Sequence, residues 1–393
     1  MSTILLLYTA NTSLVNGGGT EHVFVNMANE FVKRGYIVYA VVNDMDVSSF
    51  FLSFDSRVHL IKLRVRNAAL PLAIKFKREI NRIIPYCDSP KEKYITSLAV
   101  NIIKPLLAGQ NITGIICYEH EDVLVANTLN LPHVPVIAMI HNAIEPKLGN
   151  MNAWALKEEN KVTVHQVLMP DFVEKAKQYV TTRIVYIPNT INRVEESQWK
   201  KINDTAKTHC IVTVGRLNPV QKQTHILIEA FHILADTYPD WNVYIYGKEA
   251  ENHTEYTRNL QQLIEKYQLQ ERVFLCGLEK DVMAKLQKAD IFAFPSAYEG
   301  FGLALAEALS IGLPAVGYAS ADGVNKLLDN GKNGILCENG VLPFAKGLET
   351  VMESPALREK MGEEARKSVK KYSPDIVWNQ WDQLLRQLQE HTL

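Results

Sequence analysis

The chain has 393 residues, a formal net charge of -1 and 47% hydrophobic residues. That composition excludes a disordered chain and is enough for more than one hydrophobic core. The near-zero charge implies no general affinity for nucleic acid.

Short apolar runs, each rich in Val, Ile, Leu, Tyr or Phe, predict strands in the first half at 4–8, 36–42, 114–118, 135–140 and 164–169. The opening run is too short for a bilayer span and lacks the flanks of a signal peptide, so it reads as a buried first strand. Between the first two strands, Asn16-Gly17-Gly18-Gly19-Thr20-Glu21 leads into a helix over 23–34. Three glycines there permit close backbone approach and an anion-binding nest. The run is not GxGxxG, and Asp44 is the nearest acid to the end of the second strand. A nicotinamide oxidoreductase therefore lacks its signature.

Residues 57–104 hold eleven basic residues (Arg57, Lys62, Arg64, Arg66, Lys75, Lys77, Arg78, Arg82, Lys91, Lys93 and Lys104) against Glu79, Asp88 and Glu92. Leu70, Leu72, Ile74, Phe76, Ile80 and Ile83 are interleaved with them. Such a segment is either a solvated helical face or one that lies on an anionic membrane. His120 and Glu121 follow the third strand and His141 follows the fourth, where ligands bind in open α/β sheets. A lone histidine is more often structural; two from successive strands of one sheet raise the case for a site.

A polar segment over 192–209 reads as an interdomain linker. Beyond it, strands are expected at 210–215, 243–247, 273–277, 291–295 and 314–318, with a helix over 224–236. Alternation of this kind implies parallel sheets with right-handed crossovers. Arg216 and Lys222 follow the first of these strands and are placed to neutralise a diphosphate. The densest signal follows 291–295: Tyr298-Glu299-Gly300-Phe301-Gly302-Leu303-Ala304-Leu305-Ala306-Glu307-Ala308. It reads as a glycine-bearing turn entering a helix near Gly302, whose N–H groups and dipole suit a phosphate. Glu299 and Glu307 could accept hydrogen bonds from hydroxyls at the two ends of a sugar nucleotide. Ser373 before Pro374 starts a last helix. The five cysteines, Cys87, Cys117, Cys210, Cys276 and Cys337, form no CxxC pair, so a reducing cytosolic compartment is expected.

The run from Glu299 to Glu307 resembles the E-x7-E motif of retaining glycosyltransferases of the GT-B fold. With Gly215-Arg216-Leu217, Lys222, 289–296, Gly312-Leu313-Pro314, Asn333-Gly334-Ile335-Leu336 and Pro188-Asn189-Thr190-Ile191, the sequence is similar to glycosyltransferase family 4 over nearly its whole length. The resemblance implies an α/β fold of two Rossmann-like β/α/β domains facing across a cleft. They would be an acceptor-side domain over 1–190 and a nucleotide-sugar-binding domain over 191–372, with a helix over 373–393 crossing back to the first. It also implies roles. Glu299 would hold hydroxyls of the donor sugar and Glu307 the ribose. Arg216, Lys222 and N–H groups of Phe301, Gly302 and Leu303 would bind the diphosphate beside Gly300. Gly18 and Gly19 would border the phosphate, and His141 would sit near the reacting carbon.

Several positions depart from the family pattern. Lys222 lies one residue further from Arg216 than usual, Thr190 replaces a glycine, Gly247-Lys248-Glu249 replaces G-x-G, and Asn325 stands where a glutamate is frequent. The expected activity is retaining transfer from a nucleotide-sugar, with UDP the common carrier, to a saccharide or lipid-linked acceptor in surface polysaccharide or lipopolysaccharide assembly. No cofactor or essential metal is expected, and the expected location is cytoplasmic, peripheral on the membrane. A nucleotide-sugar epimerase of the same fold would act without an acceptor. A non-catalytic partner subunit would usually lack the donor-site charges.

Overall fold

The computed structural model describes residues 2–9, 18–43, 52–65, 68–81, 88–192, 194–200, 208–249, 253 and 255–390. Asn16, Gly17, Asp44, Arg66, Arg82, Ile83 and Cys87 lie outside the described residues. The chain divides into two compact units, Met1–Pro188 with Asn379–Leu393, and Asn189–Trp378.

The first unit is built on a parallel sheet. Its strands are β1 (Thr3–Tyr8), β2 (Ile37–Val42), β3 (His59–Lys62), β4 (Ile112–Cys117), β5 (Val136–Ile140), β6 (Val164–Val167) and β7 (Arg183–Tyr186), in the order β3-β2-β1-β4-β5-β6-β7. Strands β1 and β4 are buried along nearly their whole length because helices cover both faces of the sheet. That removal from water is why these stretches read as continuous apolar runs. Within this unit the C-terminal helix, Pro374–Glu390, sets Trp381 against Phe31 and Leu385 over Gly114. Asp382 on the same helix accepts from Arg34 at 2.6 Å and from the Tyr36 hydroxyl at 2.9 Å.

The second unit holds β8 (His209–Val214), β9 (Trp241–Tyr246), β10 (Val273–Gly277), β11 (Ile291–Phe294), β12 (Ala315–Tyr318) and β13 (Gly334–Cys337). They are all parallel, in the order β10-β9-β8-β11-β12-β13. Both units are thus Rossmann-like, with the chain reversing its direction of travel across the sheet between β1 and β4 and between β8 and β11. The crevice at the carboxyl ends of such a pair is where this topology binds ligands.

Within the polar segment expected to be a linker, Lys200 is tied to the second unit. Lys200 pairs with Asp290 at 3.0 Å, both nearly buried, and its N–H donates to Ile311 O. Asp290 also accepts from the Cys210 amide, which ties the segment to the amino ends of β8 and β11. Such a pair needs these extra hydrogen bonds to offset its desolvation.

Candidate active site

The site is built at the carboxyl ends of β8 and β11. Strand β8 ends at Val214, and Gly215 and Arg216 turn out of the sheet. The turn needs glycine twice. A Cβ on Gly247, whose φ is 143°, would lie 1.8 Å from Gly215 O, so the end of β9 presses on this turn backbone to backbone. A Cβ on Gly215 would meet Lys222 Cε at 3.2 Å, so the bare backbone there leaves room for the lysine stem.

Asn218 then closes a tight loop. Its side chain accepts from the N–H groups of Val220 and Gln221, and its carbonyl accepts from those of Lys222 and Gln223. The loop is stitched to the next crossover by Ala297 N–H to Gln221 O at 2.7 Å and Gln221 Nε2 to Tyr298 O at 3.3 Å. These bonds deliver Lys222 Nζ to Glu299 Oε1 at 2.6 Å and 4.8 Å above the centre of the Phe294 ring. Arg216 is exposed and has no ion-pair partner among the described residues. A small cavity lined by Thr213, Gly215, Arg216, Lys222, Thr224, Phe294 and Ser296 opens at this point.

Glu299 is held from the other side. Its N–H donates to Asp322 O at 2.8 Å, and Gly323, with φ of 79°, lies so close that a Cβ would sit 2.6 Å from Glu299 O. Glu299 is only 6% exposed. The chain then enters the helix Leu303–Ser310 through Gly302 at φ 85°, a conformation that strongly favours glycine. No side chain caps this helix, so its first N–H groups and dipole remain available. Phe301 is buried edge-on against Tyr372 and fixes the turn. Glu307 lies just past the first turn, and burial pushes its carboxyl up to about 7.

The structure therefore brings together Arg216, Lys222, Glu299, Gly300, Phe301, Gly302, Leu303 and Glu307 in the second unit. Asn218, Gln221 and Gly323 are positioning residues that motif spacing does not flag, whereas Gly247 and Ser296 lie in stretches already compared with the family pattern. Ser296 is fully buried, and its Oγ has no hydrogen-bond partner among the described residues. Gly247 closes the apolar run 243–247, and such a glycine marks close backbone approach as often as an ordinary turn.

His141, Gly18 and Gly19 belong to the first unit. Gly18 caps the helix Gly19–Lys33, and a Cβ there would lie 2.4 Å from Glu21 Oε2. The glycine is thus required by a buried glutamate folded back on the helix start. His141 stacks on Tyr118 with centroids 4.9 Å apart. Burial and the nearby Lys147 charge push its pKa down to about 3, so it is a neutral imidazole, and its buried Nε2 has no hydrogen-bond partner among the described residues. His120 instead joins a buried cluster. Its Nδ1 lies 2.6 Å from Glu159, whose other oxygen lies 3.0 Å from His165 Nε2. This arrangement makes His120 structural.

At the carboxyl ends of β1 and β4, Asp122 ties the two strand ends together. It accepts from the Thr9 N–H and hydroxyl and from the N–H groups of Tyr118 and Glu119. At the end of β2, Asn43 donates to Thr9 O and accepts from Val65 N–H. Neither feature suits the pyrophosphate and ribose of a dinucleotide.

The family model described as glycosyl transferases group 1 matches residues 194–368. The chain is 26% identical over 375 residues to an uncharacterized glycosyltransferase of Haemophilus influenzae, covering 94% of this chain and 97% of that one. It is 28% identical over 207 residues to the poly(glycerol-phosphate) alpha-glucosyltransferase of Bacillus subtilis, which covers 52% of this chain but only 29% of the relative. Among solved structures it resembles S. aureus TarM, in a complex with fondaparinux, alpha-GlcNAc-glycerol and UDP. The TM-score is 0.75 at 15% identity, over 98% of this chain and all of that one. Residues 194–368 thus match the glycosyl transferases group 1 model, in a chain that has the two-sheet GT-B fold.

Proposed function

We propose that the protein is a retaining glycosyltransferase of family 4 type. It moves a sugar from a nucleotide-sugar, a UDP-sugar first among the candidates, to a saccharide or lipid-linked saccharide. The observation that carries this reading is the meeting of an exposed Arg216 with the Lys222–Glu299 pair at the carboxyl ends of β8 and β11. The TarM complex contains UDP, which supports uridine as the carrier.

In this reading Arg216, Lys222 and the N–H groups of Phe301, Gly302 and Leu303 take the diphosphate. They stabilise the charge that develops on it as the glycosidic bond breaks. Glu299 holds the sugar hydroxyls and Glu307 the ribose. No carboxylate is assigned as a nucleophile, so the acceptor oxygen attacks from the face the diphosphate leaves, and the anomeric configuration is retained. His141, Gly18 and Gly19 of the first unit complete the assignment. Fixed positive charge on the protein does the work that a metal would do elsewhere, so a chelator is expected to leave turnover unchanged. The proposed setting is surface polysaccharide assembly at the cytoplasmic face of a membrane.

A thermal-shift screen of UDP, GDP, ADP and their sugars tests the reading, because a ligand of the native state raises its melting temperature. One nucleotide is expected to shift the transition, and Glu307→Ala is expected to remove that shift. A screen in which none acts contradicts the assignment.

A further inference from the structure

The basic stretch over 57–104 is not one surface. Its helix Pro90–Leu106 buries Thr96, Ala99, Val100 and Ile103 against the first unit. Arg57 is engaged by Asp55, and Lys93 by Asp88. The helix Leu72–Asn81 is different. Ile74 is its one partly buried residue; on the opposite side Leu72 is 83% exposed, Phe76 69% and Ile80 41%. With a residue every 100°, Leu72, Phe76 and Ile80 fall within an arc of about 80°. Lys77 borders that arc on one side; on the other, Glu79 lies next to Leu72 with Lys75 beyond it, and neither lysine has an ion-pair partner among the described residues. Arg78 on the same helix pairs with Glu79 at 3.0 Å.

The other exposed large apolar residues, such as Val220, Ile233 and Leu342, do not line up along one helix face. A contiguous exposed apolar stripe marks an interaction site. One flanked by unpaired cations fits a surface that is apolar within and anionic at its rim, which is the chemistry of an acidic lipid bilayer.

We infer that the helix Leu72–Asn81 docks the first unit on an anionic membrane, with Leu72, Phe76 and Ile80 inserted among the acyl chains and Lys75 and Lys77 at the headgroups. The inference rests on the proposed function only for the idea that the acceptor is lipid-linked. The docking itself needs neither donor nor acceptor.

The test is co-sedimentation of the full chain with vesicles of phosphatidylcholine alone and with vesicles in which about a third of the lipid is phosphatidylglycerol. Binding is expected to the second and not the first. Each lysine at such a surface is worth about fivefold in partitioning, so Lys75→Gln with Lys77→Gln should weaken binding about 25-fold. Phe76→Ser should weaken it at least about tenfold through lost apolar burial. These side chains face solvent, so the melting temperature is expected to stay unchanged and to show that the variants fold. Equal binding to both vesicles, no binding, or binding that the variants leave intact overturns the inference. So does light scattering that shows a dimer dispersed by Phe76→Ser without vesicle binding. A nucleotide shift without vesicle binding leaves the glycosyltransferase reading standing and the docking refuted, and the reverse result separates them the other way.

Discussion

Lys222 and Glu299 neutralise each other across 2.6 Å, yet the proposed reaction asks each to serve a different part of the donor. Nucleoside diphosphate must therefore draw Lys222 away from its carboxylate. Glu299→Gln removes that competitor. The nucleoside diphosphate is expected to bind about fivefold more tightly to the variant, the upper worth of a partly exposed pair. Sugar transfer falls in the same variant, because a neutral amide replaces the charged acceptor of the sugar hydroxyls. Calorimetry and a transfer assay read the two effects separately, and weaker nucleotide binding in Glu299→Gln would contradict the competition. Glu307 adds a pH signature. Burial raises its folded-state pKa to about 7 from an ordinary value of 4.5, so its contribution to stability is present in acid and is lost as pH rises through about 7. The carboxylate is the form that accepts hydroxyl hydrogen bonds. Nucleotide affinity should therefore rise across the same range while the melting temperature of the free protein declines. Both trends should flatten in Glu307→Gln.

At the scale of the elements, the sequence was most readable where burial was most complete. The central strands of both sheets are mostly apolar, so their positions differ from the sequence expectation by only one to a few residues at an end. The strands missed, β3, β7 and β13, lie at sheet edges. One face or one side of each meets solvent, so His59, Lys62 and Arg183 interrupt the apolar pattern. The site charges were legible because glycine and charge coincide after apolar runs. The packing roles of Gly247 and Gly323 were not, because they are set by Gly215 and Glu299, which are distant in sequence. Arg358 illustrates the same point. It is fully buried, donates to the carbonyls of Val351 and Met352 at the end of the helix Val341–Met352, and lies 5.3 Å from the centre of the Trp241 ring. Arg358→Ala should cost about 2–4 kcal/mol, since it leaves buried carbonyls unpaired and a hole beside Trp241. Denaturant unfolding measures this, and a change within about 0.5 kcal/mol would show the helix end to be satisfied otherwise.

For the whole molecule, the same strand order appears twice and is used differently. In the first unit the ends of β1 and β4 are joined by Asp122 and its four hydrogen bonds, which fix the scaffold. In the second, the equivalent crevice between β8 and β11 gathers an exposed arginine, a lysine–glutamate pair and an uncapped helix start. Fold alone would have allowed either unit to bind a nucleotide; the side chains at the strand ends favour the second. The most direct test is a calorimetric titration of UDP into the wild-type protein and into Arg216→Ala. The account predicts one site per chain in the wild type and affinity at least about tenfold weaker in the variant, as expected for loss of a charge-assisted contact to phosphate. Binding of equal strength in both proteins would place the nucleotide elsewhere and contradict the assignment of the β8/β11 crevice as the donor site.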